Sequence, residues 1–279
     1  MSARIFTRTN PSALKQCLAR TGTNSTLARS TRAATAAPCA SLFTFRSPLE
    51  APTGKLYEGH IPISPLQRTI LAVGSAFTAL ANPLRGDMVA ALGETTSGIF
   101  LNRIRDQMLQ DPEGRRILRE RPVITSETMQ LDTLRQLPDG TFGREYVRFL
   151  DDQQVSPDTR EPVHFVDSEE LAYVMQRYRE THDFYHTLTG LPVTVDGEIA
   201  LKWFEMAQTG LPMTMLSSFF GPLRLSSEER KRLFNVYVPW ALENGSTSKL
   251  LMNVRWEEWM EKPVEEVQRE LGVRPCPQV

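Results

Sequence analysis

Acid is absent from the start of the chain: Glu50 is the first carboxylate. The same stretch carries Arg4, Arg8, Lys15, Arg20, Arg29, Arg32 and Arg46 and is rich in Ser, Thr and Ala. It has no apolar core of the kind a secretory signal needs, and its composition predicts a mitochondrial transit peptide over residues 1–45. The alternative is a disordered basic arm. Removing these seven of the 32 basic residues leaves 25 against 33 acidic ones, a net charge of −8. A body this acidic argues against nucleic acid as a partner.

Cysteine is scarce. Cys17 and Cys39 fall within the leader and only Cys276 follows it, which excludes a disulfide framework and a cysteine metal site. Long apolar runs are missing too. The uncharged run between Arg68 and Arg85 holds sixteen residues, against about twenty predominantly apolar residues for a membrane span. It reads as a buried or surface-docking helix, with peripheral membrane contact left open. There is no glycine-rich phosphate loop, no internal repeat, and no alternation long enough to force a sheet. The expected fold is all-α: a single helical domain over residues 50–279 after a disordered N-terminal leader.

Punctuation divides that domain. Pro65 and Asn82-Pro83 bound an apolar helix from Leu66 to Ala81, and a second helical stretch runs from about Gly86 to Met108. A short helix is expected at Arg115–Glu120. Thr125 or Ser126 is placed to cap another that carries Met129, Leu131, Leu134 and Leu137. Phe142, Tyr146, Phe149 and Leu150 have helical spacing. The clearest helix starts at Asp167 or Ser168 and stops at Gly190-Leu191-Pro192. Others are expected from Glu198 to Gln208, from Ser226 to Asn244-Gly245, from Lys249 to Glu261 and from Val264 to Leu271.

Histidine is rare, four in 279 residues, yet two fall in His182-Asp183-Phe184-Tyr185-His186, with Glu198 following after eleven residues. On a helix, His182 and His186 lie about 40° apart and Asp183 about 60° from His186, so the three share one sector. The turn at Gly190-Pro192 gives Glu198 a route back to them. Two nitrogens and two carboxylates suit Zn²⁺, and iron(II) or manganese would accept them. A pair of buried, hydrogen-bonded imidazoles is the competing reading. His60 and His164 stand outside the cluster and read as ordinary surface or loop residues.

Three known metal patterns fit poorly. A zinc protease needs glutamate where Asp183 stands. A di-iron bundle needs E-x-x-H, but Glu180 is two before His182. A His-Asp phosphohydrolase needs a distant downstream aspartate, and none follows Asp196. Lys202, four after Glu198, either faces the site or pairs with Glu198 along the helix. Arg144 and Tyr146 suit a packed loop-to-helix junction better than a substrate contact, and Trp256 and Trp259 a core or partner face.

The segments T-H-D-F-Y-H-T-L-T-G-L-P (Thr181 to Pro192) and G-E-I-A-L-K-W-F-E (Gly197 to Glu205) resemble the mitochondrial ubiquinone-biosynthesis family with the H-D-x-x-H-x11-E signature. So do R-P-V-I from Arg121, P-D-G-T-F-G-R-E-Y from Pro138 and R-W-E-E-W from Arg255, so the resemblance covers the whole chain after the leader. It implies an all-helical protein holding zinc or a similar divalent ion through His182, Asp183, His186 and Glu198. It also implies a carboxy-lyase removing the C1 carboxylate of a polyprenylated 4-hydroxybenzoate, within a multiprotein coenzyme Q complex on the matrix face of the mitochondrial inner membrane. The prenyl tail is expected in an apolar groove lined by Leu66–Ala81 and Phe219-Phe220. A lipid-binding scaffold with a structural metal is the alternative. Mixed His/Asp/Glu ligands favour chemistry over structure, because structural zinc prefers cysteine. The absence of a clear general acid outside the ligand set favours the scaffold.

Overall fold

Helix boundaries follow capping chemistry wherever the sequence supplies it. The computed structural model describes residues 51, 54–82 and 85–277, all within one unit, Arg46–Val279. The transit-peptide expectation lies outside them. Among the described residues the protein is all-α, with one isolated bridge between Thr141 and Pro263 and no strand.

The helices are α1 (Pro65–Ala81), α2 (Gly86–Thr96), α3 (Gly98–Gln110), α4 (Pro112–Glu120), α5 (Leu131–Leu134), α6 (Phe142–Gln153), α7 (Glu169–Thr189), α8 (Val195–Thr209), α9 (Pro212–Phe220), α10 (Ser227–Arg232), α11 (Val238–Thr247) and α12 (Val264–Leu271). Ser64 caps α1 in a reciprocal box with Gln67, and Ser226 does the same for α10 with Glu229. Ser168 caps α7, while Gly190 and Gly210 end α7 and α8 in the left-handed conformation.

Several expectations are corrected. The stretch from Gly86 to Met108 is two helices, because the chain kinks at Ser97. The helix expected from Thr125 shrinks to α5: hydrogen-bonded turns fill 126–130 and Gln130 takes φ +51°. Helix α8 starts three residues early on a Thr194 cap. Helix α9 is an element the spacing did not predict; it opens on Pro212, the first helical position, which proline tolerates. Lys249–Glu261 is no helix; it makes separate 3₁₀ turns at Leu251–Asn253 and Trp256–Glu258. His60 is no surface residue. It is fully buried, its Nε2 3.0 Å from Asp167 Oδ1.

Helix α7 joins two apolar clusters. Val174, Met175 and Tyr178 pack with Leu101, Ile104 and Met108 of α3. Phe184, Tyr185 and Leu188 pack with Phe142 and Tyr146 of α6, Phe204 of α8 and Trp256. Trp256 stacks on Phe142 at 5.1 Å, so it is core as its spacing suggested. His182 lies between the two clusters on the same helix.

Close approach brings α8 back to α7. A Cβ built on Gly197 would lie 2.2 Å from the Pro192 carbonyl oxygen. Glycine here lets the first turn of α8 sit against the loop leaving α7, with Glu198 next in line. Gly197→Ala is expected to destabilise the fold by about 1–3 kcal/mol in urea unfolding, as overpacking does, and to weaken divalent-metal binding by pushing Glu198 outward. Unchanged values for both would show that the loop yields freely.

Candidate metal centre

Three of the four expected ligands converge. One donor atom from each of His182, His186 and Glu198 lies within 4.8 Å of the other two. His186 Nε2 is 3.1 Å from Glu198 Oε1, and His182 Nε2 is 3.5 Å from Glu198 Oε2. The fourth, Asp183, is buried and turned aside: its Oδ1 accepts from the Arg160 guanidinium at 2.5 Å.

The far side of each imidazole fixes which nitrogen faces inward. His182 Nδ1 is 2.6 Å from Glu205 Oε1, and His186 Nδ1 is 3.1 Å from the Leu191 carbonyl oxygen. With Nδ1–H donating a hydrogen bond to each of those oxygens, each neutral ring leaves its Nε2 lone pair for the centre. His186 Nε2 is buried and has no hydrogen-bond partner. Two imidazole nitrogens and a carboxylate facing one another can hold a cation between them. Two nitrogens and one oxygen fit zinc or a similar divalent ion, with room for a further ligand. Backing each ring with a carboxylate or carbonyl is the usual second layer of a metal site.

The electrostatics carry the same demand. Burial and the Lys202 charge push the His182 pKa down, but the Glu205 and Glu198 carboxylates outweigh them and hold it above the ordinary 6.5. Burial works upward on Glu198, yet its contacts with the His182 and His186 imidazoles keep its carboxyl well below the usual range. Burial works upward on Glu205 too, while the charges of Lys202 and His182 draw it down to about 2.

Glu205 escapes a search for the motif alone. It is fully buried and takes hydrogen bonds from Tyr178 Oη at 2.5 Å and Lys202 Nζ at 2.7 Å besides the His182 contact. Its signal is spacing: it stands seven residues after Glu198, two turns along the same face of α8. Lys202 therefore pairs with Glu205, not Glu198. Arg160 and Arg179 are the other residues that the motif does not announce. Arg179 donates to Glu94 Oε1 at 3.0 Å, and Glu94 also accepts the backbone amides of His164 and Phe165, which fixes the chain just beyond Arg160. Arg144 is tied to Asp139 near the surface, and Tyr146 is core, its hydroxyl buried without a partner.

The centre opens on a cavity of about 730 Å³. His182, Glu198, Lys202, Arg160 and Arg179 form its polar part. Ala76, Ala79 and Leu80 of α1, Met213, Leu216 and Phe220 of α9, and Ile199 of α8 contribute apolar wall. The expected groove is thus lined by α1 and by Phe220, whereas Phe219 packs on Trp203 outside it. Ile70, Val73 and Phe77 of α1 and Phe219 are exposed, as is Leu223 of the lining. Among the described residues no helix is long and apolar enough to cross a membrane.

Comparison with known proteins places the chain. The family model for Coenzyme Q (ubiquinone) biosynthesis protein Coq4 matches residues 57–277. Ubiquinone biosynthesis protein COQ4, mitochondrial, of Coprinopsis cinerea is 53% identical over 222 residues, 80% of this chain and 76% of that protein. The COQ4 homolog, mitochondrial, of Mus musculus is 53% identical over 222 residues, 80% of this chain and 84% of that one. The crystal structure of a protein from Nostoc punctiforme superposes with a TM-score of 0.60 over 74% of this chain and 98% of that chain; at 24% identity the likeness concerns the fold. The chain belongs to the Coq4 family of coenzyme Q (ubiquinone) biosynthesis proteins.

Proposed function

We propose that the chain is a metal-dependent carboxy-lyase of ubiquinone biosynthesis that removes the C1 carboxylate of a polyprenylated 4-hydroxybenzoate, as a 4-hydroxy-3-methoxy-5-polyprenylbenzoate decarboxylase. The observation that carries the reading is that His182 and Glu198, together with Arg160, Arg179 and Lys202, line a cavity whose remaining wall is largely apolar. An aromatic head with an anionic group and a long apolar tail matches that division.

His182, His186 and Glu198 would hold Zn²⁺, and Asp183 would complete the set after leaving Arg160. The ion supplies Lewis acidity toward the carboxylate or an adjacent oxygen. The residues do the rest. Cationic side chains fix the head group, and the α1 and α9 side chains take the tail and keep water from the ring. The bond between the ring and its carboxylate breaks, CO₂ leaves, and the electron pair stays on the ring carbon. That carbon then takes a proton that solvent supplies, relayed by the carboxylate of Asp183 or Glu198.

In this reading the protein works in the mitochondrion, peripherally on the matrix side of the inner membrane, beside other coenzyme Q biosynthesis proteins in a multi-subunit complex. Support comes from the relatives' names, which say mitochondrial, and from the exposed apolar residues of α1, the helix that also lines the cavity. The test follows CO₂ from the zinc-loaded protein given the prenylated benzoate, for wild type and Asp183→Ala. Release from wild type and its loss in the variant are expected. Equal release from both sinks the catalytic role of this centre, and no release from either favours a lipid-binding scaffold.

A further inference from the structure

The charged residues that line the cavity are unequal in sign. Arg160, Arg179, Lys202 and Arg224 line it against a single carboxylate, Glu198. Two of these cations are committed to buried carboxylates behind the wall: Arg179 to Glu94 and Lys202 to Glu205. Arg224 lies on the exposed turn after α9. Arg160 differs from all three. Its guanidinium bonds Asp183 through one nitrogen, at 2.5 Å, and makes no other hydrogen bond among the described residues. A guanidinium has five donors in a fork that matches a carboxylate. Arg160 is therefore underused, partly open to the cavity at 32% exposure, and already holding a carboxylate.

We infer that Arg160 is the residue that recognises the substrate's carboxylate, and that Asp183 is a built-in stand-in that occupies the guanidinium until that carboxylate takes its place. The ligand class is an aromatic carboxylate with an apolar substituent. The inference rests on the carboxy-lyase reading for the identity of the carboxylate, and it adds a consequence. Asp183 lies next to His182 and three residues before His186 on α7, so once released it stands in their sector. Substrate at Arg160 then frees a ligand for the metal, and each binding event favours the other.

Charge balance runs the same way. Apart from Arg224 on its exposed turn, four carboxylates, Glu94, Asp183, Glu198 and Glu205, face three cations, Arg160, Arg179 and Lys202. The cluster is one negative charge in excess as it stands. A divalent ion turns it into one positive charge in excess, which one substrate carboxylate neutralises. Without the ion, an anion would enter a site that is already negative.

The experiment is calorimetric titration of the zinc-loaded full chain with 3-prenyl-4-hydroxybenzoate and with 2-prenylphenol, which lacks only the carboxylate. Wild type is expected to prefer the benzoate by about 10- to 100-fold, the scale of a charge-assisted hydrogen bond. Arg160→Gln should bring the two probes within about threefold, and Arg160→Lys, a point charge without the fork, should fall between. A chelator competition then reads Zn²⁺ affinity with and without the benzoate; about a tenfold gain is expected in wild type and none in Arg160→Gln. An undiminished preference in both Arg160 variants overturns the assignment, as does its loss in Lys202→Met alone. Binding is read here without turnover. A chain that binds as described but releases no CO₂ defeats the lyase reading and leaves this one standing.

Discussion

Glu198→Ala is expected to emerge from purification without bound metal, and the wild-type chain with one divalent ion. The expectation follows from how few donors meet at the centre. His182 and His186 come from one helix and Glu198 is the group supplied from another. Losing it leaves two neutral imidazoles and no charge among the three convergent donors. Removing a mere supporting group costs about 10–100-fold in metal affinity, so loss of a charged ligand should exceed that range. Elemental analysis after dialysis reads the stoichiometry, and competition with a chromogenic chelator reads the affinity. The fold should survive, because Glu198 is 36% exposed and its truncation buries nothing new. Helical circular dichroism of the metal-free variant should match metal-free wild type. A variant that keeps one tightly bound ion would place the metal elsewhere. A wild type with no ion under any loading would return His182 and His186 to buried hydrogen-bonding residues.

The centre was legible in the sequence to the extent that it is local. The four-residue spacing of His182 and His186, the glycine stop at Gly190 and the short return to Glu198 all follow from helix geometry and turn chemistry. Asp183 shows the limit. Its position on α7 is set by the same period, but its partner, Arg160, comes from a loop that no periodicity describes. The same holds for Arg179 and Glu94, whose pairing spans 85 residues. Helix content was legible for the same reason and boundaries less so. Pro212 reads equally as a helix stop or a first helical residue, and the break at Ser97 is announced only by the single Ser97-Gly98 pair. Lys249 to Glu261 reads as helical in composition. There Leu251, Met252 and Trp256 are drawn into the core, and two short turns bury them where one straight helix would not.

Glu205→Gln is expected to lower zinc affinity by about 10–100-fold while keeping all three inward-facing donors in place, because it removes the carboxylate that orients and charges His182 from behind. The change is nearly isosteric, so Tyr178 and Lys202 keep a polar neighbour and gross packing is unchanged. Its second effect depends on pH. The folded Glu205 pKa, about 2, lies below its ordinary 4.5. Its ionisation therefore stabilises the fold fully above pH 4.5, and the contribution is lost as pH falls through 2. His182 is shifted the other way, above 6.5. Its protonated form stabilises the fold fully below pH 6.5, and that contribution is lost as pH rises through the folded value. In metal-free protein both terms are present together between about pH 4.5 and 6.5, where a proton on His182 does the work that the ion would do. Metal-free wild type should then exceed metal-free Glu205→Gln by roughly 3 kcal/mol near pH 5.5, with the gap narrowing toward pH 2 and shrinking again as His182 loses its proton. Zinc removes the upper limit, because the ion keeps His182 engaged without a proton, so the loaded proteins should differ at pH 8 as well. Urea unfolding across that range, with and without zinc, distinguishes this from a packing defect, whose cost would follow neither pH nor metal.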